Sequence, residues 1–413
     1  MSNYPFSNLK GKISIKHGFP FKSEFFSDEK TDYIVLTPGN FYEKGGFKRQ
    51  AGKEKFYTGE VPEEYLHEAG DLIVAMTEQA AGLLGSCARV PESGIYLHNQ
   101  RLGLITADSK KILKDYVYHL FKTKTVREQI RLTSSGSKVK HTSPERIYDV
   151  KVPLPTVSVQ QKIVDLLDAL ETKIELNNRI NTELESMAKT LYDYWFVQYD
   201  FPDANGKPYK TSGGKMVYNL TLKREIPVGW SDKTLSEIAN ITMGQSPEGS
   251  SYNYESVGTI FYQGSTDFGW LFPTTRQYTT EPGRMAKKGD ILLSVRAPVG
   301  DMNIANTDCC IGRGLAALNS KTGSDGFLFY VMKYFKKIFD RRNSEGTTFG
   351  SITKNDLHSL KLAYPTPDLL NKYDEVVTKY NKMIFERSIE NRELIKLRDW
   401  LLPMLMNGQV TVK

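Results

Sequence analysis

Two stretches of the chain carry apolar residues at alternating steps of four and three. The first runs through Ile163, Leu167, Leu170, Ile174, Asn177, Asn181, Leu184, Ala188, Leu191 and Trp195. The second runs through Tyr373, Val377, Tyr380, Ile384, Arg387, Asn391, Leu394, Arg398, Leu401 and Leu405. Such steps keep one stripe of a helix apolar over many turns, which predicts two long helices, over residues 160–195 and 369–406, that pack along their length. Most polar members of the stripes fall towards the middle. Buried Asn is a register device in coiled coils, and the competing reading is a solvated position. At about 1.5 Å per residue, a helix of about 36 residues is about 54 Å long. That exceeds one small domain, so the pair reads as a spacer.

Elsewhere the pattern changes. Residues 32–37 and 71–76 are short, apolar and rich in β-formers, and 291–295 is a second copy of the latter. The Gly-Asp before each copy, Gly70-Asp71 and Gly289-Asp290, suits a turn. An amphipathic helix is predicted over 116–132, with Val117, Leu120, Phe121 and Ile130 on its apolar side, and its counterpart over 327–341. A polar, glycine-containing loop follows each, at 134–141 and 344–351. Each unit then closes on an extended run ending in proline, 150–155 and 360–365.

These correspondences are an internal repeat. Residues 136–155 align without a gap on 346–365, at an offset of 210 that continues through the helices, Asn181 falling on Asn391 and Leu184 on Leu394. Upstream the register drifts: Gly70 matches Gly289 and Arg101 matches Arg313. The chain therefore encodes two copies of a globular part followed by a long helix. A pseudo-symmetric object of this kind suits a partner with two halves. The stretch 200–230 between the copies is rich in turn formers and reads as a connector, which makes antiparallel helices with one globular unit at each end the simplest arrangement.

Composition narrows the class. The 413 residues are 39% hydrophobic and 25% charged, ordinary for a protein with a real core. No stretch has the continuous apolar length of a membrane span, and the start lacks a signal-peptide pattern. The three cysteines, Cys87, Cys309 and Cys310, form no Cys-x-x-Cys pair, so neither a disulfide framework nor a zinc site is expected, and a cytoplasmic setting fits. Net charge is +7. The first helix carries seven acidic and four basic residues and the second six acidic and seven basic, so the excess positive charge lies in the globular parts and loops. That is compatible with a polyanionic partner, and also with ordinary solvated lysines.

Two globular units alternating with two helices, joined by the 201–219 segment and the entry Arg224-Glu225-Ile226-Pro227-Val228-Gly229-Trp230, resemble the DNA-specificity subunit of a Type I restriction–modification system. Gly18-Phe19-Pro20-Phe21-Lys22-Ser23, the two Gly-Asp strands, Gly312-Arg313-Gly314, and Leu154-Pro155 leading into Gln160-Gln161-Lys162-Ile163 also match. The likeness spans essentially the whole chain. It implies an α+β protein with target-recognition domains at 1–156 and 230–367, conserved helical regions at 157–197 and 368–413, and a connector at 198–229. Each recognition domain would read one half of a bipartite, asymmetric site on double-stranded DNA. The antiparallel coiled-coil spacer would set the half-site separation and dock two methyltransferase (modification) subunits, with restriction subunits joining to form the nuclease. The chain itself would be non-catalytic and without cofactor or metal; S-adenosylmethionine and ATP would sit on the partners. One departure is the short lead before unit one, which leaves little chain to complete the helical region.

The chain holds no P-loop, no Asn/Asp-Pro-Pro-aromatic tetrapeptide, and no second His after His67-Glu68 at zincin spacing. The histidines, including His17, His98, His119 and His358, form no ligand pair of convincing spacing. Asp165, Asp168, Glu171 and Lys173 fall on one helix, where they are expected to solvate its outer face. An enzyme acting alone is thus the weaker reading, as is a coiled-coil protein without nucleic acid. Base reading needs Arg, Lys, Asn, Gln, Ser or Thr on a rigid platform, and phosphate contacts need cations and small polar residues. Candidates in copy one are Lys22, Lys44, Arg49, Gln79, Arg101, Ser135, Ser137, Lys138, Lys140 and His141. Those in copy two are Gln245, Ser246, Ser251, Tyr252, Gln263, Ser265, Thr266, Arg296, Arg313, Thr347, Thr348 and Ser351. Plain solvated loops are the competing reading.

Overall fold

A computed structural model describes residues 3–78, 80–136, 139–344 and 351–412. The chain divides into two compact units, Met1–Glu175 with Asn391–Lys413, and Leu176–Glu390.

In the first unit, Phe6–Asn8 pairs antiparallel with Lys151–Pro153. An antiparallel sheet has the order Ile13–His17, Leu102–Ala107, Leu72–Ala75, Cys87–Arg89. The edge strand Ile13–His17 alternates buried Ile13 and Ile15 with more exposed residues, whereas every residue of Leu72–Ala75 is buried. That difference follows from one covered face against two. A second sheet orders Phe26–Ser27, Phe56–Tyr57, Tyr33–Leu36, Tyr96–His98, its last pair parallel. Helices α1 (Lys114–Lys122), α2 (Lys124–Leu132) and α3 (Pro144–Tyr148) follow, then α4 (Val157–Tyr192). Tyr116, Val117, Leu120 and Phe121 of α1 join Leu72, Val74 and Cys87 in one core, closed by Ile163 and Leu167 of α4.

The second unit repeats these pairings. Its antiparallel sheet orders Ala239–Met243, Leu315–Ser320, Ile291–Ser294, Met302–Ile304. The other sheet orders Tyr252–Asn253, Gln277–Thr279, Thr259–Tyr262, Cys309–Ile311, with Met285–Ala286 as an added edge and a parallel pair at the same place. Helices α5 (Leu235–Ile238), α6 (Asp325–Ser344) and α7 (Lys354–His358) lead through Lys361–Tyr364, which pairs with Ser231–Thr234, into α8 (Pro367–Met406). The internal repeat is thus a repeated topology. The Gly-Asp turns match in detail: Gly70 and Gly289 take φ of +82° and +98°, open to glycine without strain. Asp71 and Asp290 each accept, through Oδ2, from the backbone N–H three residues earlier, at 3.1 and 2.8 Å.

Both helix seams are packed. Leu167, Ile174, Leu184, Val377 and Ile384 are buried, and Leu170, Leu191, Tyr380, Leu394 and Leu401 are half-buried. The solvated reading of the seam asparagines fails, because Asn177, Asn181 and Asn391 are buried. Within the second unit, Asn177 Nδ2 donates to Glu390 Oε2 at 2.7 Å, Asn181 Nδ2 approaches Ser388 Oγ at 3.4 Å, and Tyr373 donates to the Ala188 carbonyl at 3.2 Å. Rising numbers on α4 meet falling numbers on α8, so the strips are antiparallel there. They are antiparallel in the first unit too, where Asn391 Nδ2 lies 3.4 Å from the Ile174 carbonyl and Arg398 meets Glu171.

Three expectations change. The helix over 116–132 is two helices, broken at Thr123, which is extended and whose hydroxyl caps α2 by accepting from Val126 N–H. The connector is not plain loop: Met216–Asn219 and Arg224–Pro227 form a hairpin, and the ring of Phe201 stacks on Tyr209 and Trp230. The short lead before unit one reaches the chain's other end, with Asn3 N–H donating to the Asn407 carbonyl at 2.7 Å and Asn3 Nδ2 to that of Gly408 at 2.8 Å. Among the described residues no helix is long and apolar enough to cross a membrane.

Candidate nucleic-acid interface

The strand Leu72–Ala75 ends in a segment, 76–78, held from both sides. Met76 N–H donates to the Arg101 carbonyl at 2.9 Å, and Thr142 N–H donates to the Met76 carbonyl at 3.0 Å. Glu78 N–H donates to the Lys140 carbonyl, and Thr77 and Ser135 each bridge His141. Arg146 donates to Ser135 Oγ at 2.8 Å, fixing the loop to α3. Arg101, Ser135, Lys140 and His141 are therefore gathered at one strand end. Gln79, Ser137 and Lys138 lie outside the described residues.

The second unit does the same at the end of Ile291–Ser294. Val295 N–H donates to the Gly314 carbonyl at 2.9 Å, Ile352 N–H to the Val295 carbonyl at 2.8 Å, and Arg296 bridges Ser351. Gln263 Nε2 donates to Ser246 Oγ at 2.9 Å, and that oxygen also receives Arg313 N–H at 3.2 Å. Gln245 is tied to this edge through the Ile311 carbonyl. A depression of about 330 Å³ opens here, lined by Ser265, Thr266, Ser294, Arg296 and Asp301 among others. Thr347 and Thr348 lie outside the described residues.

Other candidates stand apart. Ser251 is buried, its Oγ 2.7 Å from both Thr279 Oγ1 and the Glu248 carbonyl, and Tyr252 donates to the Pro247 carbonyl. Lys22, Lys44 and Arg49 pair with Glu24, Asp399 and Glu92. Lys44 lines a cleft of about 630 Å³ that reaches Glu78 of the strand end and whose lining also includes Arg127, Arg131 and Arg398. By contrast, among the described residues the guanidinium groups of Arg101, Arg296 and Arg313 pair with no carboxylate. All three remain available to an anionic or base-edge partner.

Sequence reasoning missed two buried clusters in the first unit. Asp168 and Glu171 do not solvate the outer face of α4. Asp168 receives His119 Nε2 at 2.7 Å and Arg89 at 3.0 Å, while Glu171 takes the Lys122 ammonium and the Tyr118 hydroxyl. The signal was present: His119 and Lys122 stand three apart on α1, and Asp168 and Glu171 three apart on α4, one matched face against another. Burial works against both carboxylates, but His119 and Arg89, and Lys122 and His119, hold them below the usual range. His119, Asp168 and Glu171 offer ligand atoms within 4.8 Å of one another. Arg89 and Lys122 pair with the two carboxylates, which makes the cluster an ion network. In the other cluster His67 Nε2 lies 2.9 Å from His98 Nδ1, and His67 Nδ1 3.0 Å from Asp71. Burial pushes both rings down, His98 to about 3. No local spacing announces this pair, because the two rings meet only once the loop holding His67 lies against the strand Tyr96–His98.

The family model for the Type I restriction modification DNA specificity domain matches residues 1–186 and 227–374. The putative MjaX specificity subunit of Methanocaldococcus jannaschii is 28% identical over 96% of this chain and 88% of its own length. The HindI specificity subunit of Haemophilus influenzae is 21% identical over 76% and 81%. In fold, the chain resembles the S subunit of a Type I system from M. genitalium, with a TM-score of 0.65 at 15% identity over 98% and 96% of the two chains. The two matched segments fall one on each repeat, and each contains one of the strand ends just described. The chain therefore belongs to the Type I restriction–modification DNA specificity family, as a specificity subunit, the non-catalytic recognition component of such a system.

Proposed function

We propose that each unit reads one half of a bipartite, asymmetric site on duplex DNA. The observation that carries this reading is the repeated strand end: one backbone frame presents Arg101, Ser135 and His141 in one unit and Arg296, Arg313 and Ser351 in the other. Equivalent frames that match at Arg101 and Arg313 but differ between Thr77 and Arg296, and between His141 and Ser351, suit two readers of unlike half-sites. Helices α4 and α8 set the half-site spacing and dock two methyltransferase subunits. In support, Met187 and Tyr194 on α4 and Leu397 and Trp400 on α8 are exposed, and Met187 and Leu397 are repeat partners. One exposed apolar side chain at the same place on each helix suits two copies of one partner. Restriction subunits complete the nuclease, and S-adenosylmethionine and ATP are bound by the partners.

The test is base-resolution mapping of N6-methyladenine in cells with and without this gene. A bipartite motif with two different halves should vanish on deletion. An unchanged methylation map, or a perfectly palindromic motif, defeats the reading.

A further inference from the structure

One position of the repeated frame is filled by different chemistry in the two units. In the first, Thr77 follows its strand by two residues and bridges His141; in the second, Arg296 follows the equivalent strand by two residues and bridges Ser351. The flanking backbone bonds also correspond: Met76 and Val295 each donate to the Arg101–Leu102 or Arg313–Gly314 turn and each accept from the residue after the bridge. A place fixed so alike in backbone, and so unlike in side chain, is where two readers on one frame can differ without disturbing the fold.

The side chains differ in what they offer. Thr77 is buried, and its Oγ1 lies 3.1 Å from Nδ1 of exposed His141, so this end presents one imidazole edge. Arg296 is exposed beside Ser265 and Thr266. Asp301, the carboxylate lining the same depression, is engaged by Lys336. An arginine fork has only donors, in a planar array that matches the paired acceptors N7 and O6 on the major-groove edge of guanine.

We infer that the bridged pair at this place, Thr77 with His141 in one unit and Arg296 with Ser351 in the other, is specificity-determining, that His141 is the reader in the first, and that Arg296 reads a guanine in the half-site of the second. The inference rests on the proposed function. Its test is methylation mapping with the full gene carrying Arg296→Lys, Arg296→Gln or His141→Ala, beside the wild type. Both Arg296 variants should lose preference for guanine at a single position of one half-site, by roughly ten- to a hundredfold, leaving the other half-site and the spacer intact. His141→Ala should relax one position of the opposite half-site only. Lysine keeps the charge and loses the fork. An Arg296→Lys protein with the wild-type motif, or a uniform loss across all sites, therefore makes Arg296 a phosphate contact and overturns the inference. A wild type with no bipartite motif sinks the functional reading and this inference together. An intact wild-type motif with unaltered variants sinks the inference alone.

Discussion

The buried charges of the first unit make the sharpest statements about single residues. Lys122 and Glu171 pair where their side chains are 8% and 18% exposed. Removing one partner leaves the other largely buried without its counter-charge, whereas removing both trades a pair for packing. Glu171→Ala should therefore cost about 3–5 kcal/mol, while Lys122→Met with Glu171→Leu should be near neutral. Urea denaturation of both proteins checks this, and equal losses would contradict it. The histidines add a dependence on pH. Burial depresses His67, His98 and His119; His67 pushes His98 down further and Lys122 does so for His119, while Asp71, the Lys16 carbonyl and Asp168 oppose the shift. Below about pH 6.5 the unfolded chain takes up protons that these rings refuse, so stability falls as pH drops from there towards the folded values. Asp168 and Glu171 are depressed carboxylates, so their contribution is present above about pH 4 and is lost as pH falls further. The melting temperature of the full chain should fall between pH 7 and pH 5, and His67→Gln with His98→Gln should flatten that slope. A slope unaffected by the pair would assign the pH dependence elsewhere.

At the scale of elements, the early glycine of each repeat shows why the copies keep what they share. A Cβ on Gly18 would stand 2.0 Å from the Asn99 carbonyl oxygen, and one on Gly244 would stand 2.2 Å from that of Gly312. In each unit the chain leaving the first sheet must pass the same neighbouring backbone at contact distance, and only hydrogen fits. Gly244→Ala should cost about 1–3 kcal/mol, the usual penalty of overpacking. Gly249→Ala, where nothing lies within 4 Å, should stay within about 0.5 kcal/mol of wild type. Comparable midpoints for the two in chemical denaturation would refute the close-approach argument. The same elements show what sequence can carry. The α4 and α8 seams were legible because a period of four and three persists over many turns, and Leu72–Ala75 because a fully buried strand is a continuous apolar run. The break at Thr123 was not, since the polar run Lys122-Thr123-Lys124-Thr125 also reads as the solvent side of one continuous amphipathic helix. Neither was the connector hairpin, whose turn-rich composition conceals the Phe201, Tyr209 and Trp230 stack that holds it. At the candidate interface, residue types were legible and availability was not. Lys44 and Arg296 look alike in sequence, but only the fold sets Asp399 beside one and engages Asp301, which lines the same depression as the other, with Lys336.

For the molecule as a whole, the proposed function makes α4 and α8 a ruler between two half-sites. The proposed ruler can be lengthened without altering either reader. Seven residues inserted after Asn178 in α4 and after Ser388 in α8, repeat-equivalent places, add two turns to each helix and keep the seam in register to within about 20°. The added rise is about 10 Å, or about three base pairs of duplex. The methylated motif should keep both half-sites and gain about three base pairs between them. Three base pairs also turn the far half-site by roughly a quarter of the duplex or more, which the helical insertion does not follow, so methylation of the longer site should be slower than wild type on its own site. A four-residue insertion in α4 alone serves as the contrast. It rotates the remaining seam by about 40° and opposes Asn181 and Leu184 to the wrong partners, so it should lower stability and abolish methylation at every spacing. If the double heptad insertion methylates the original spacing at the original rate, the helices do not set the distance, and the spacing must be fixed by the recognition units or by the partners they bind.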